Sequence, residues 1–168
     1  MTHLKVSLLV EIRRLRTEDL DELDWGAIDP EFIRRTLAER GDEVVFLLAV
    51  ANEQAVGRLG IDFGRKAEAR IVHLWAFGVV PALQRRGIGT ALLQEAETLV
   101  AADPRGATLL EIGADEWNHD AAKLYRRLGY RDAGSERGSN DEVIVLLRRP
   151  VGEASRAPRR YGAQRAPR

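Results

Sequence analysis

A short segment in the middle of the chain combines two arginines with two glycines directly before a helical pattern. The segment QRRGIG runs from Gln84 to Gly89 and contains Arg85, Arg86 and Gly87. The first turn of a helix presents unpaired N–H groups with a partial positive charge, and glycine lets a ligand approach the backbone closely. These residue types at this spacing predict a site for a phosphate or pyrophosphate.

Two familiar phosphate-binding motifs do not fit this segment. A Walker loop requires Gly-Lys-Ser/Thr, and no lysine occurs between Lys66 and Lys123. A dinucleotide fingerprint requires a third glycine where the chain has Leu92. The sequence therefore predicts a phosphate site of another kind.

A second segment, NHDAAKLYRRLGY, follows one strand later and predicts a helix. Asn118 is a typical cap at its start, and Gly129 lies just past its end. Ala121, Leu124 and Tyr125 share one face by helical spacing, so the tyrosine is either a core ring or a group that faces a site.

The elements that must position these segments alternate in type. A strand at 10–16 and a helix capped by Thr17 come first, and DPEFIRRTLAERG predicts a helix with Asp29 as its cap. Three β-rich runs follow at 44–51, 55–63 and 70–80, then a helix from Gly89, a strand at 107–114, the second segment's helix, and strands at 131–135 and 143–148. We therefore expect an α/β fold with a mixed (α+β) sheet of six to seven strands and about four helices. Its first half is antiparallel, and a right-handed crossover joins parallel strands at 70–80 and 108–113.

The composition fits one globular domain. The chain has 168 residues, 26 basic and 26 acidic side chains and no cysteine, so disulfides and thiolate chemistry are excluded and nothing draws it as a whole to nucleic acid. We expect a single domain at 1–150 and a basic disordered tail at 151–168, which holds five arginines and one glutamate. The scattered histidines predict no metal site, and the absence of a long apolar run predicts a cytoplasmic protein with no membrane partner.

The two segments together resemble the two best-known motifs of the GNAT superfamily of acyl-CoA-dependent N-acetyltransferases. QRRGIGTALL, preceded by VVP, follows the family's Gln/Arg-x-x-Gly-x-Gly/Ala loop. NHDAAKLYRRLGY follows its Asn-x-x-Ala-x-x-Leu-Tyr-x-x-Leu-Gly-Phe/Tyr pattern. Residues 70–130 carry most of the resemblance, and the order of elements extends it over about 8–149.

This resemblance implies a GNAT-like fold that binds acetyl-CoA, the acyl donor, without a metal. The strands at 70–80 and 108–113 would splay apart around the pantetheine arm, and the start of the following helix would hold the pyrophosphate. The cofactor-binding residues implied in this way are Phe77, Val79, Val80, Gln84, Arg85, Arg86, Gly87, Ile88, Gly89, Thr90 and Asn118. For Asn118, a helix cap and a cofactor contact are compatible.

The implied reaction needs a base, because an alkyl amine with a pKa of about 10.4 is mostly protonated at pH 7. Glu111 lies where some family members carry a glutamate base, and His73 lies six residues before Val79, where others place an acidic base. Both stay open, and each also has a structural explanation. Tyr125 stands where the family commonly has the acid that protonates the leaving sulfur.

The expected function is therefore transfer of an acetyl group from acetyl-CoA to a primary amine by direct attack in a ternary complex. The acceptor is a small-molecule, peptide or protein amine, and a homodimer is common in the family. Five early carboxylates would attract a cationic amine or simply form a solvated face: Asp19, Asp21, Glu22, Asp24 and Asp29. The alternative is a catalytically silent acyl-CoA-binding or interaction module that uses the basic tail.

Overall fold

A computed structural model describes residues 7–152 of the chain. Within these residues the strands are β1 (Glu11–Arg14), β2 (Val44–Ala51), β3 (Gln54–Lys66), β4 (Ile71–Val79), β5 (Leu109–Asp115), β6 (Arg131–Arg137) and β7 (Val143–Pro150). The α-helices are α1 (Asp19–Glu22), α2 (Pro30–Arg40), α3 (Ile88–Ala102) and α4 (His119–Arg127). His3 and all but the first two residues of the predicted tail lie outside the described residues.

All seven strands form one sheet in the order β1-β2-β3-β4-β5-β7-β6. Strands β1 to β4 pair antiparallel, β4 and β5 pair parallel, and β7 enters antiparallel between β5 and β6. The predicted fold class is confirmed, including the antiparallel first half and the parallel junction.

The helices cover both faces of the sheet, which gives the molecule two apolar cores. On one face α3 buries Leu92, Leu93 and Ala96 against strand residues such as Leu59. On the other face α2 buries Ile33 in a second core built on β2. Apolar side chains of the central strands enter the two cores in turn, because successive residues of a strand point to opposite faces of the sheet. The two cores fix the sheet between two helical layers.

Two local predictions are corrected. The helix expected after Thr17 is a single turn, α1, and Thr17 does not cap it, since the N-cap is Glu18 and makes no side-chain cap bond. The strand expected to end at Phe63 continues to Lys66. This extension carries the Lys66 side chain towards β5, where it meets a buried carboxylate.

The parallel pair β4 and β5 separates halfway along. Its pairing covers Ile71–Leu74 and Leu109–Ile112, and no pairing continues beyond them. On the other side of β4 the register with β3 shifts between Arg58 and Gly60, where Ala76 adopts φ +49°. An extra residue bends and twists the bulged strand. The second half of β4 therefore turns away from β5 and leaves a wedge between them, as expected.

Gly60 provides the space in which the Trp75 indole lies. A Cβ atom at Gly60 would lie 2.7 Å from Trp75 Nε1 and 3.0 Å from two ring carbons. We predict that Gly60→Ala lowers the free energy of unfolding by about 1–3 kcal/mol, because the rigid indole must shift. Urea unfolding measures this change. Gly78→Ala is the matched control, since a Cβ there meets no atom within 4 Å; equal losses in both variants would contradict the prediction.

Candidate active site

A cleft of about 1100 Å³ opens where the wedge meets the start of α3. Its walls come from the end of β4, the loop that precedes α3, and one face of α4. A smaller cavity of about 250 Å³ continues from it between the separated halves of β4 and β5. Phe77, Asn118 and Tyr125 line both, so the two cavities meet at these side chains.

The start of α3 presents bare backbone to the cleft. The N-cap Gly87 has φ +86°, a left-handed conformation that favours glycine, and no side chain caps the helix. The first-turn N–H groups have no intrahelical partner. Gly87, Gly89 and Thr90 all line the cleft. This helix end can therefore hold an anion with main-chain donors.

Cationic side chains surround the same cleft. Arg85 lines it from the loop, and Lys123, Arg126 and Arg127 line it from α4. The α4 cations were not predicted as site residues, although their spacing in AAKLYRR places them one helical turn or less apart. Together with the α3 N-terminus they favour a ligand with more than one negative charge.

Three of the implied cofactor-binding residues do not line the cleft with their side chains. Arg86 is exposed, and Ile88 is buried in the core. Val80 donates its N–H to Val56 of β3 at 2.9 Å. Because successive strand residues point their backbone groups to opposite sides, Val79 directs its own N–H away from β3, towards the wedge.

Gln84 lines the cleft but also holds the loop in place. Its side-chain Nε2 donates to the Val79 carbonyl at 3.0 Å. This bond ties the loop before α3 to the end of β4. Gln84 therefore fixes the distance between the helix N-terminus and the wedge.

Tyr125 is placed at the junction of the two cavities. The side chain is 4% exposed, and its ring lies 6.2 Å from the Phe77 ring. Among residues 7–152 nothing hydrogen-bonds its hydroxyl, and burial raises its pKa, so the group stays protonated near neutral pH. Asn118 caps α4 by accepting from Ala121 N at 3.2 Å and also lines the cleft. The helix cap and the site position thus coincide.

His73 and Glu111 lie side by side on β4 and β5 rather than in either cavity. They are direct partners in the parallel register, and His73 Nδ1 lies 2.9 Å from Glu111 Oε1. The Glu111 side chain is 0% exposed and also accepts from Lys66 Nζ and from Arg148 Nε at 2.8 Å. Neither residue lines the cleft.

These contacts set the charges of the pair. Burial alone raises the Glu111 pKa, but hydrogen bonds from Lys66, Arg148 and His73 outweigh it and hold the pKa below its usual value. Burial, followed by the charge of Arg65, lowers the His73 pKa against the raising effect of Glu111. An ionised carboxylate only accepts, so neutral His73 donates from Nδ1 and keeps a basic lone pair on Nε2.

Several of the five early carboxylates have partners within the fold. Asp19 is buried and accepts from both terminal nitrogens of Arg13 at 2.6 and 2.8 Å. Asp21 pairs with Arg34 at 2.8 Å, and Asp29 caps α2 through Glu31 N at 3.0 Å. Asp19 is therefore unavailable to an acceptor, whereas Asp21, Glu22 and Asp24 remain exposed.

In residues 7–152 no group of three His, Cys, Asp or Glu side chains is placed to hold a metal ion. The helices described above are all too short or too polar to cross a membrane.

The geometry defines an α/β protein with a split parallel pair that leads into an anion-binding helix N-terminus. The model of the GNAT acetyltransferase family matches residues 9–130. The chain belongs to this family of acetyltransferases.

Two curated relatives are enzymes of the same kind. A mycothiol acetyltransferase of Clavibacter michiganensis is 33% identical over 126 residues, which is 67% of this chain and 40% of that protein. An S-(2-succino)cysteine N-acetyltransferase of Bacillus subtilis is 27% identical over 81 residues, which is 48% of this chain and 49% of that protein. The chain thus spans less than half the length of either relative.

Solved structures share the fold. A GNAT acetyltransferase of Streptococcus pneumoniae has a TM-score of 0.67 at 22% identity, over 86% of this chain and 100% of that one. The Arabidopsis thaliana NAA60 complex with acetyl-CoA has a TM-score of 0.65 at 17% identity, over 85% and 99%. The Escherichia coli ribosomal-protein-S18-alanine N-acetyltransferase has a TM-score of 0.65 at 19% identity, over 88% and 97%.

Proposed function

We propose that this chain transfers an acetyl group from acetyl-CoA to a primary amine by direct attack in a ternary complex. The observation that carries the proposal is the continuous cavity from the N-terminus of α3 into the wedge between β4 and β5. One end offers main-chain donors and cations, and the other offers unpaired backbone groups on two separated strand edges. A polyanion with an extended amide-containing arm matches both ends.

The residues present fit acetyl-CoA. The N–H groups at 88–90 and the side chains of Arg85, Lys123 and Arg127 would hold its phosphates. The backbone of Phe77 and Val79 would pair with its pantetheine arm, beside Asn118. When bound, acetyl-CoA supplies a thioester carbon for the amine nitrogen to attack and a thiolate that leaves.

Three groups of this chain then serve the reaction. His73 Nε2 takes the proton of the amine through water, since His73 lies outside the cleft, and Glu111 holds the imidazole by accepting from Nδ1. The Val79 N–H binds the negative charge that develops on the carbonyl oxygen. The Tyr125 hydroxyl gives its proton to the leaving sulfur.

The family does not define the acceptor. One relative is named for S-(2-succino)cysteine and one structural neighbour for the alanine of ribosomal protein S18. A small amine and a protein N-terminus are both within this range. Cytoplasmic location, the homodimer and the division into a domain at 1–150 and a tail stay predictions.

Calorimetry with acetyl-CoA and a thiol-release assay over a panel of amines test the proposal.

We predict that Gly87→Ala weakens acetyl-CoA binding about tenfold. The added methyl group strains the turn at φ +86° and displaces the backbone N–H groups that would bind the phosphates. Gly152→Ala is the matched control, since it has the same φ of +86°, open space for a Cβ and a position outside the cleft.

The outcomes separate the alternatives. Acetyl-CoA binding without thiol release on any amine would favour the silent binding module. If the folded protein did not bind acetyl-CoA, both the proposed acetyltransferase and the silent binding module would be contradicted. Equal weakening in Gly87→Ala and Gly152→Ala would show that backbone strain, rather than loss of the phosphate site, causes the effect.

A further inference from the structure

Two buried hydrogen-bond donors on the α2 face of the sheet have no acceptor among residues 7–152. They are Arg58 Nη1 on β3 and Trp75 Nε1 on β4. Among the described residues the Arg58 side chain makes no hydrogen bond and no ion pair, and its Cζ atom lies 5.3 Å from the centre of the Phe32 ring. The Trp75 ring also lies 5.3 Å from the Phe32 ring. The two donors thus contact one aromatic side chain of α2.

Leaving such donors unpaired is costly. A buried polar group without a partner costs about 1–3 kcal/mol, and more when it is charged. Burial lowers the pKa of Arg58, and only the charge of Asp29 opposes this effect. The Asp29 carboxylate is itself engaged as the cap of α2. An unpaired cation and an unpaired indole N–H are therefore expected to meet an acceptor from outside the described part of the chain.

Arg58 and Trp75 lie next to the cleft and its inner cavity. Arg58 is the direct cross-strand partner of Gly78, so both residues face the same side of the sheet. Gly78 lines the cleft, and a Cβ atom on it would meet no atom within 4 Å. The sheet is therefore open next to Arg58. Trp75 lines the cavity inside the wedge.

We infer that Arg58 and Trp75 bind a carboxylate of the acceptor, so that the preferred substrates are amines that also carry a carboxylate, such as amino acids. This inference rests on the proposed function and adds its substrate class. A guanidinium and an indole N–H are both donors, and a carboxylate has two acceptor oxygens. Arg34 and Arg40 of α2 pair with Asp21 and Asp62, whereas no acid within residues 7–152 pairs with the Arg58 side chain.

A matched substrate series tests this inference. Thiol release is measured with L-leucine, L-leucinamide and isoamylamine, and with the same series built on other side chains. We expect the carboxylate form to have the highest kcat/KM in at least one series. Arg58→Gln should lower the preference for carboxylate over amide by about tenfold to a hundredfold, the worth of a charge-assisted hydrogen bond. Arg35→Gln, which removes an exposed arginine of α2, should keep the preference.

A binding readout makes the test independent of turnover. The Trp75 indole N–H resonance, assigned with Trp75→Phe, should shift on addition of the amino acid and not of its amide. Arg58→Lys keeps the positive charge but lacks the planar guanidinium that can donate two parallel hydrogen bonds. A folded Arg58→Lys protein should therefore show more of the preference for carboxylate over amide than Arg58→Gln does. Equal rates for acid and amide, or a preference unchanged in Arg58→Gln, would overturn the inference while the proposed function stands. Absence of release on every amine would instead overturn the proposed function.

Discussion

Tyr125→Phe is expected to lower kcat about a hundredfold and to leave acetyl-CoA affinity nearly unchanged. General acid catalysis contributes about 10²- to 10⁴-fold, and the phenol is the titratable group that lines both cavities at their junction. Burial raises its pKa, so the phenol is protonated near neutral pH. The ring itself stays in phenylalanine, so its packing against Phe77 is preserved.

Steady-state kinetics and calorimetry on the same preparation measure the two effects. Tyr130→Phe is the matched control, because Tyr130 is as buried as Tyr125, lies 6.3 Å from it and lines neither cavity. Its kcat should stay near that of the unchanged protein. If Tyr125→Phe lost kcat and affinity equally, or lost neither, Tyr125 would be a core ring and not the acid.

Local signals were enough to predict much of the fold and part of the cleft. Asp29 and Asn118 cap α2 and α4 as expected, because a cap depends on residues three positions away or fewer. Gly87 has the left-handed backbone that its place before α3 implies. The hairpin of β2 and β3 was also predictable, since its turn and its apolar runs are adjacent in the sequence.

The features that the sequence did not reveal depend on contacts between distant residues. Lys66 and Arg148 converge on Glu111 from β3 and β7, and no spacing in the sequence relates these three residues. The insertion of β7 between β5 and β6 brings Arg148 there. That Arg58 has no partner within residues 7–152 was missed for the same reason, because it becomes visible only once Asp29 is seen to cap α2.

Glu111 and His73 are expected to differ in role, with Glu111 stabilising the fold and His73 serving catalysis. Glu111→Gln is expected to lower the free energy of unfolding by about 3 kcal/mol, because it leaves Lys66 and Arg148 around a buried neutral amide. Glu136→Gln is the matched control: its ion pairs with Arg65 and Lys66 are more exposed and should be worth less than about 1 kcal/mol. Urea unfolding at pH 7 measures both, and equal losses would contradict a stabilising role that depends on burial.

His73→Gln should reduce kcat about a hundredfold and change the free energy of unfolding only slightly. A glutamine amide can still donate a hydrogen bond to Glu111, but it cannot act as a base.

The lowered pKa values of His73 and Glu111 also predict how stability depends on pH. As the pH falls, His73 of the unfolded chain binds a proton near pH 6.5 and Glu111 near pH 4.5, whereas in the folded chain both need a lower pH. Their contribution to the free energy of unfolding is therefore present above these pH values and is lost as the pH falls. In His73→Gln the loss should begin at lower pH, because the lowered pKa of Glu111, whose usual value is about 4.5, still contributes to it. A stability curve that keeps its decline from pH 6.5 in this variant would show that His73 is not the group that titrates there.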